Sequence, residues 1–389
     1  MQLIEVKSPD TWRLFHKVPH IVYRNDPNWI APLQGDVQNV FNPDENKAFA
    51  HGESAQWVLL DDQNQPAGRI AAFIDHDRNK SQPYPLGGIG FFECIDRAAF
   101  ADALFQKAES WLREKGAKAV DAPINFGERD KFWGLLVHGF DPPLFQENYH
   151  PAYYQAFFEQ LGYQPFEQIL TLKGKSEEMD LGRLKSISDR IRSKGTDIRV
   201  ESYKPEKLDQ YARDFCEVYN ASFSHFEHFK PIEPVQIVKL MNQVKAVIDP
   251  GIICVAYYEG HPAAFCALFP DINFLLKPAK GRLNWRTIPF FFLRRAMAKT
   301  FNAKGIGFGV HPEYQSKGVF PFIIEFLASS DNMKKYPYMY LTTIRAHNAE
   351  ILGLYRRLNV KVDRVHIAYR KPLESGIPIE PFPFIDIDS

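Results

Sequence analysis

Residues 305–322 read GIGFGVHPEYQSKGVFPF. Gly305, Gly307 and Gly309 alternate along a strand and share one face, while Ile306, Phe308 and Val310 share the other. One face feeds a core and the other carries no side chains. Glycine in a strand packs nothing and costs conformational entropy, so such a face is expected where another body lies against the backbone. The turn Gln315-Ser316-Lys317-Gly318-Val319-Phe320 then runs into Pro321. Proline suits a first helical turn, where its missing N–H has no partner to lose. Successive amides at a helix N-terminus favour an anion, and Lys317 adds a cation. The stretch predicts a pyrophosphate cradle beside a strand that offers its backbone to a linear ligand; an ordinary surface turn is the competing reading. The spacing is not that of the GxGxxG dinucleotide fingerprint, because a proline-containing turn separates the strand from the helix. No GxxxxGK[ST] loop occurs either.

Working outward, the second half reads as strand (DIRVESYK), two helices (KLDQYARDFCEVYNASF and PVQIVKLMNQVKAVI), a hairpin turning at 259–262, the glycine-striped strand, a helix, the strand YMYLTTIRAH, the helix AEILGLYRRLN and a closing strand VKVDRVHIAYRK. The first half has the same order: QLIEVK, a Ser-capped helix, a hairpin turning at 61–66, the strand GGIGFFECI, an amphipathic helix stopped by Gly116, the strand AKAVDAPIN, a helix stopped by Gly162, and the closing strand FEQILTLKG. Two passes of one pattern predict a duplicated α+β unit, each copy a mixed, mostly antiparallel sheet flanked by helices. The boundaries read 1–173 and 197–372, with a charged linker helix over 174–196 and an irregular, proline-rich tail over 373–389 that either packs back or is mobile.

The chain has 389 residues, which exceeds one comfortable core and agrees with two units. Its 47 basic and 47 acidic residues cancel, so no long-range field draws it to nucleic acid or a membrane. Cys94, Cys216, Cys254 and Cys266 sit in apolar runs with no CxxC pair, which reads as buried free thiols. No signal pattern or long apolar run appears, and the expected compartment is the cytoplasm.

On these residues the chain resembles the GNAT superfamily of acyl-CoA-dependent N-acetyltransferases. VHPEYQSKG is similar to that family's Q/R-x-x-G-x-G/A pyrophosphate segment: Gln315 and Gly318 match, and Phe320 stands where a small residue is usual. Asn348 and Tyr355, in HNAEILGLYRRLN, have the family's Asn-to-Tyr spacing; Asn359 replaces the usual glycine after that helix. The whole resembles a tandem GNAT protein. The first half departs from the pattern, because its strand GGIGFFECI passes directly into Asp96 and a helix, and Phe158 falls at the tyrosine position. The resemblance therefore places acyl-CoA on the second half alone.

The resemblance implies acetyl-CoA or another acyl-CoA as cosubstrate, held by Phe308, Gly309, Val310, Gln315, Ser316, Lys317, Gly318, Val319, Phe320 and Asn348. An amide near Val310 or His311 would polarise the thioester carbonyl, and Tyr355 would protonate the departing thiolate. Helical spacing alone favours reading Tyr355 as an amphipathic tyrosine at the edge of a core helix; Asn348 and the Gly318 turn bring the catalytic role level with it. The acceptor side has His225, Glu227 and His228 in SFSHFEHF, where a solvated aromatic loop is the plainer reading and no third metal ligand is evident. The connection 125–151, NFGERDKFWGLLVHGFDPPLFQENYHP, is long for its place and supplies Asn125, Trp133 and Tyr149 as a candidate pocket wall, or merely covers the sheet. Asp75 and His76 could join such a pocket. The expected activity is N-acyl transfer to a small-molecule or peptide amine, without metal, nucleic acid or membrane, by a monomer or homodimer. The alternatives are a non-catalytic acyl-CoA sensor and a Fem-like aminoacyl transferase.

Overall fold

A computed structural model describes residues 1–225 and 231–387. Its first half contains β1 (Gln2–Glu5), β2 (Gly52–Leu60), β3 (Pro66–Asp75), β4 (Leu86–Cys94), β5 (Ala119–Ala122), β6 (Leu135–His138) and β7 (Gln164–Lys175). The second contains β8 (Ile198–Ser202), β9 (Ile253–Tyr258), β10 (His261–Pro270), β11 (Asn302–Val310), β12 (Tyr338–Arg345) and β13 (Lys361–Pro372). The hairpins fall where the sequence places them. Glu259 and Gly260 between β9 and β10 both take positive φ, +49° and +87°, the backbone that matches strand twist in a two-residue turn.

The duplicated α+β unit is present, but as one open sheet. Its order is β1-β2-β3-β4-β5-β13-β7-β12-β11-β10-β9-β8, with β6 on β13 off that path. This order is a palindrome of the two halves. In each half the fourth and fifth strands run parallel and the other neighbours antiparallel. The closing strands are exchanged: β13 pairs with β5 of the first half, and β7 pairs with β12 of the second. The two then pair with each other along most of their length, from Lys361↔Lys173 to Arg370↔Gln164. Arg370 and Asp121 face each other across β13 and β5 and form a buried two-point ion pair, Nε to Oδ1 at 2.6 Å and Nη2 to Oδ2 at 3.0 Å. Arg370 with Arg78 holds the Asp121 carboxyl below its usual range despite full burial. Removing one partner of such a pair costs about 3–5 kcal/mol, because the other is left buried and uncompensated.

Helices cover both faces. The helix Ala98–Glu114 buries Phe100, Leu104, Phe105, Ala108 and Leu112 at helical spacing against β3, and Pro9–Val22, capped by Ser8, covers the opposite face. In the second half Leu208–Phe223 and Pro234–Val244 lie on one face and Val319–Leu327 on the other. Each fully buried Leu or Phe contributes about 1.5–3 kcal/mol. The linker helix spans Gly182–Ser193, and β7 runs on to Lys175 before it. The tail through residue 387 lacks regular structure but packs back: Gln168 exchanges two hydrogen bonds with the Ile385 backbone, and Phe382 stacks on His347 at 4.5 Å. All four cysteines are buried free thiols. Among the described residues no helix is long and apolar enough to cross a membrane.

Candidate active site

The parallel pairing of β11 with β12 ends at Gly305↔Leu341. Beyond it, β12 stays with β7 through Ile344 and Arg345, after an irregularity at which Thr343 takes φ +59°. Gly307–Val310 pair with β10, Ile306 falls at an irregularity in that ladder, and among the described residues no strand pairs with their other edge. The wedge between two diverging parallel strands exposes main-chain donors and acceptors, which is what an extended ligand adds to.

The glycine face of β11 is not bare, which corrects the sequence reading. Phe265, the cross-strand partner of Gly309, lays its ring over the stripe. A Cβ on Gly309 would stand 2.6 Å from Phe265 Cε1 and 3.1 Å from Ser222 Oγ, and one on Gly307 3.2 Å from the same ring. The body against that face is the protein's own core; the edge, not the face, is open.

The phosphate turn forms as expected up to a point. Gly318 takes φ +75° at the N-cap of Val319–Leu327, no side chain caps the helix, and Gln315, Ser316 and Lys317 are exposed. The first amides of a helix have no intrahelical partner, so they remain available there. Gly318 also backs on the linker helix, where an added Cβ would meet Ile191 Cδ1 at 2.4 Å. Phe320 turns inward and meets Phe308 edge-on at 5.3 Å.

Asn348 is the N-cap of Ala349–Arg356, its Oδ1 accepting from the Ile351 amide at 3.2 Å. It starts the helix that carries Tyr355, which packs in a cluster with Phe320, Leu341 and Leu352. Burial pushes the Tyr355 phenol well above its ordinary value, and the nearby Cys266 thiol on β10 pushes the same way. The phenol thus keeps its proton at neutral pH. His311 is taken up locally, accepting from the Glu313 amide through Nδ1.

The first half has no such open wedge. β4 and β5 part after Gly88↔Asp121, but residues 123–126 run along the freed edge, with the Ile124 amide donating to Ile89 O at 2.8 Å. A Cβ on Gly90 would lie 2.0 Å from Ile124 O. Phe158 is a core residue packed on Phe105 and Tyr369.

Between the halves lies a cleft of about 1830 Å³, into which Asn125, Trp133, Asp75 and Asn348 all project lining surface. Several of its charges are paired: Arg78 to Asp121 at 2.9 Å, Arg129 to Glu167 at 2.5 Å and Arg345 to the other Glu167 oxygen at 3.2 Å; His51 Nδ1 lies 2.8 Å from Asp75 Oδ1. The Arg129 guanidinium lies 4.6 Å from the centre of the Trp133 ring. Asn125 Oδ1 and Trp133 Nε1 are buried with no hydrogen-bond partner among the described residues. A buried acceptor and a buried donor left unsatisfied are costly unless a ligand or water meets them.

Tyr149 is elsewhere: its hydroxyl donates to the Asp26 carboxylate at 2.8 Å and its ring packs against Tyr23. His225 follows the helix Leu208–Phe223, whose Tyr219 and Phe223 line the cleft. Glu227 and His228 lie outside the described residues. The long first-half connection is part wall and part strap. Beyond Trp133 it forms β6, and it bonds to the second half through Phe145 N to Asp271 (2.9 Å) and Lys304 Nζ to Phe145 O (2.5 Å). The paired arginines and carboxylates of the cleft escape the sequence reading, because their partners come from strands far apart in the chain. The one signal available was charged residues at inward positions of β7, β12 and β13.

The fold has known counterparts. No family model matches the chain. It is 28% identical over 287 residues, 73% of either chain, to a bacterial ceramide synthase from Caulobacter vibrioides. It is 25% identical over 371 residues, 93% of either chain, to the Escherichia coli protein YghO. Among solved structures it resembles a tandem GNAT protein from the clavulanic acid biosynthesis pathway, with TM-score 0.53, 10% identity, and coverage of 97% of this chain and 99% of that one. The chain has the tandem GNAT fold.

Proposed function

We propose that the protein is an acyl-CoA-dependent N-acyltransferase, with acyl-CoA on the second half and an amine acceptor in the cleft between the halves. The observation that carries this reading is the wedge at Gly305↔Leu341, with Tyr355 packed beside it in the same half. The Ile306–Val310 backbone pairs with the pantetheine chain, and the turn before Val319 receives the pyrophosphate. An amine attacks the thioester carbonyl, the new C–N bond replaces the C–S bond, and Tyr355 protonates the departing thiolate. The amine's proton passes to solvent, and the tyrosine is then reprotonated.

Two features support the acceptor side. Asn125 Oδ1 requires a donor and Trp133 Nε1 an acceptor, and an amino alcohol brings both. The likeness to a ceramide synthase points the same way, since ceramide formation is amide formation on a long-chain amino alcohol. A second reading, a non-catalytic acyl-CoA sensor, is favoured by the Phe320 ring at the phosphate turn.

Calorimetric titration with acetyl-CoA and a long-chain acyl-CoA, followed by turnover on short and long-chain amino alcohols, tests the proposal. One site per chain is expected, with amide product, and Tyr355→Phe lowering kcat by about 10²-fold at unchanged acyl-CoA affinity. Binding without turnover on any amine would assign the sensor. No binding of any acyl-CoA would overturn both readings.

A further inference from the structure

Residues 271–301 join β10 to β11, where residues 76–85 suffice between the equivalent β3 and β4. This longer connection carries the helix Thr287–Met297, TIPFFFLRRAM, which is amphipathic in the wrong sense for a helix covering a core. Phe291 alone of the helix is buried, in the second-half core. Trp285 just before the helix is 77% exposed, Met297 71%, Phe290 66% and Leu293 56%, and Ile288 and Phe292 are exposed too. At 100° per residue the exposed apolar side chains of the helix form one continuous arc of about 200° facing away from the protein.

The charge around this face has one sign. From Asn273 to Asn302 the chain has seven lysines and arginines and no aspartate or glutamate, although the whole chain is neutral. Lys277 and Arg295 are tied to the Pro27 and Ala246 carbonyls. Arg282, Arg286, Arg294 and Lys299 are exposed, and the Arg286 guanidinium lies 4.8 Å from the centre of the Trp285 ring. A monomer seldom shows a contiguous patch of this kind without a partner.

We propose that this face docks on an anionic lipid bilayer, lying in the headgroup region without crossing it. Tryptophan and phenylalanine on an outward face, rimmed by arginine and lysine, suit that interface. A second copy of the chain fits poorly, because a two-fold contact would set one basic run against the other. The docked face leads directly into β11 at Asn302, so the strand with the open edge starts where the bound surface ends. The inference rests on the surface alone and stands apart from the acyl-transfer reading.

The test is co-sedimentation of the full chain with phosphatidylcholine vesicles, with and without phosphatidylglycerol, at two salt concentrations. Binding to the anionic vesicles is expected, weakening with salt. It should fall about tenfold or more in Trp285→Ser/Phe290→Ser/Met297→Ser and in Arg286→Glu/Arg294→Glu. All five positions are exposed, so both variants should melt like the parent. No binding to anionic vesicles, or equal binding by the variants, would overturn the proposal. A parent dimer that the apolar variant splits, with no vesicle binding, would give the face to a second copy and overturn it equally.

Discussion

Gly309→Ala decides what the glycine stripe of β11 is for. The added methyl would stand 2.6 Å from Phe265 Cε1 and 3.1 Å from Ser222 Oγ, well inside contact distance. The ring cannot retreat freely. Phe265 is 1% exposed and has Phe215 at 4.4 Å and Tyr219 at 6.1 Å between centroids on the helix Leu208–Phe223. Overpacking of this kind costs about 1–3 kcal/mol. If the ring is the cause, Phe265→Leu should relieve it. The double variant would then be more stable than the sum of the singles predicts, with a coupling of about 1–2 kcal/mol. Urea unfolding of the parent, both singles and the double, followed by circular dichroism, measures this. Acetyl-CoA affinity of Gly309→Ala should stay within about threefold of the parent, because the ligand edge lies in the sheet plane and the methyl does not. A variant as stable as the parent that binds acetyl-CoA about tenfold more weakly would refute the argument and return the glycine to the ligand.

The exchanged closing strands predict that fragments 1–196 and 197–389 fold together and not apart, because β5 and β12 each find their neighbour in the other half. Co-expression should yield a one-to-one complex, and a monomeric fragment with its own cooperative melt would sink the idea. His150 should make the protein sensitive to acid. It is fully buried with Nδ1 accepting from the Leu136 amide, and burial lowers its pKa to about 3. The unfolded chain takes up that proton near pH 6.5, so between about pH 6.5 and 3 unfolding binds the extra proton and stability falls as pH falls, by up to about 1.4 kcal/mol per unit. Glu93 and Asp271, each raised by burial to about 6, act in the opposite sense between the ordinary carboxylate range and pH 6. His150→Gln should therefore flatten the acid limb relative to the parent in denaturant titrations; parallel limbs would contradict it.

Much of the candidate site's local conformation was legible because its signals are local. The turn before Val319 announces itself by Gly318 and Pro321, and the Asn348–Tyr355 spacing is a property of one helix, whose N-cap and packed tyrosine the structure places at its two ends. Tyr149 misled because composition cannot tell a tyrosine lining a cleft from one hydrogen-bonded to an aspartate outside it. The stripe of β11 misled in a related way. Alternating glycines say that something lies against the strand, and only the register with β10 says that it is Phe265.

The sequence by itself determined the elements, their repetition and the half that carries the open strand. These follow from periodicity, turn chemistry and caps, which act over a few residues. It could not decide which strand closes which half. β7 and β13 are both strands of 12 residues following a helix and buried through their middles, and either half would accept either one. The exchange is settled by contacts between residues far apart in the chain, such as Arg370 with Asp121 and the strap from Phe145 to Lys304. The cleft is likewise tertiary. Its ion pairs join β7 to β12 and β5 to β13, so the pocket exists only once the two halves have closed each other's sheets.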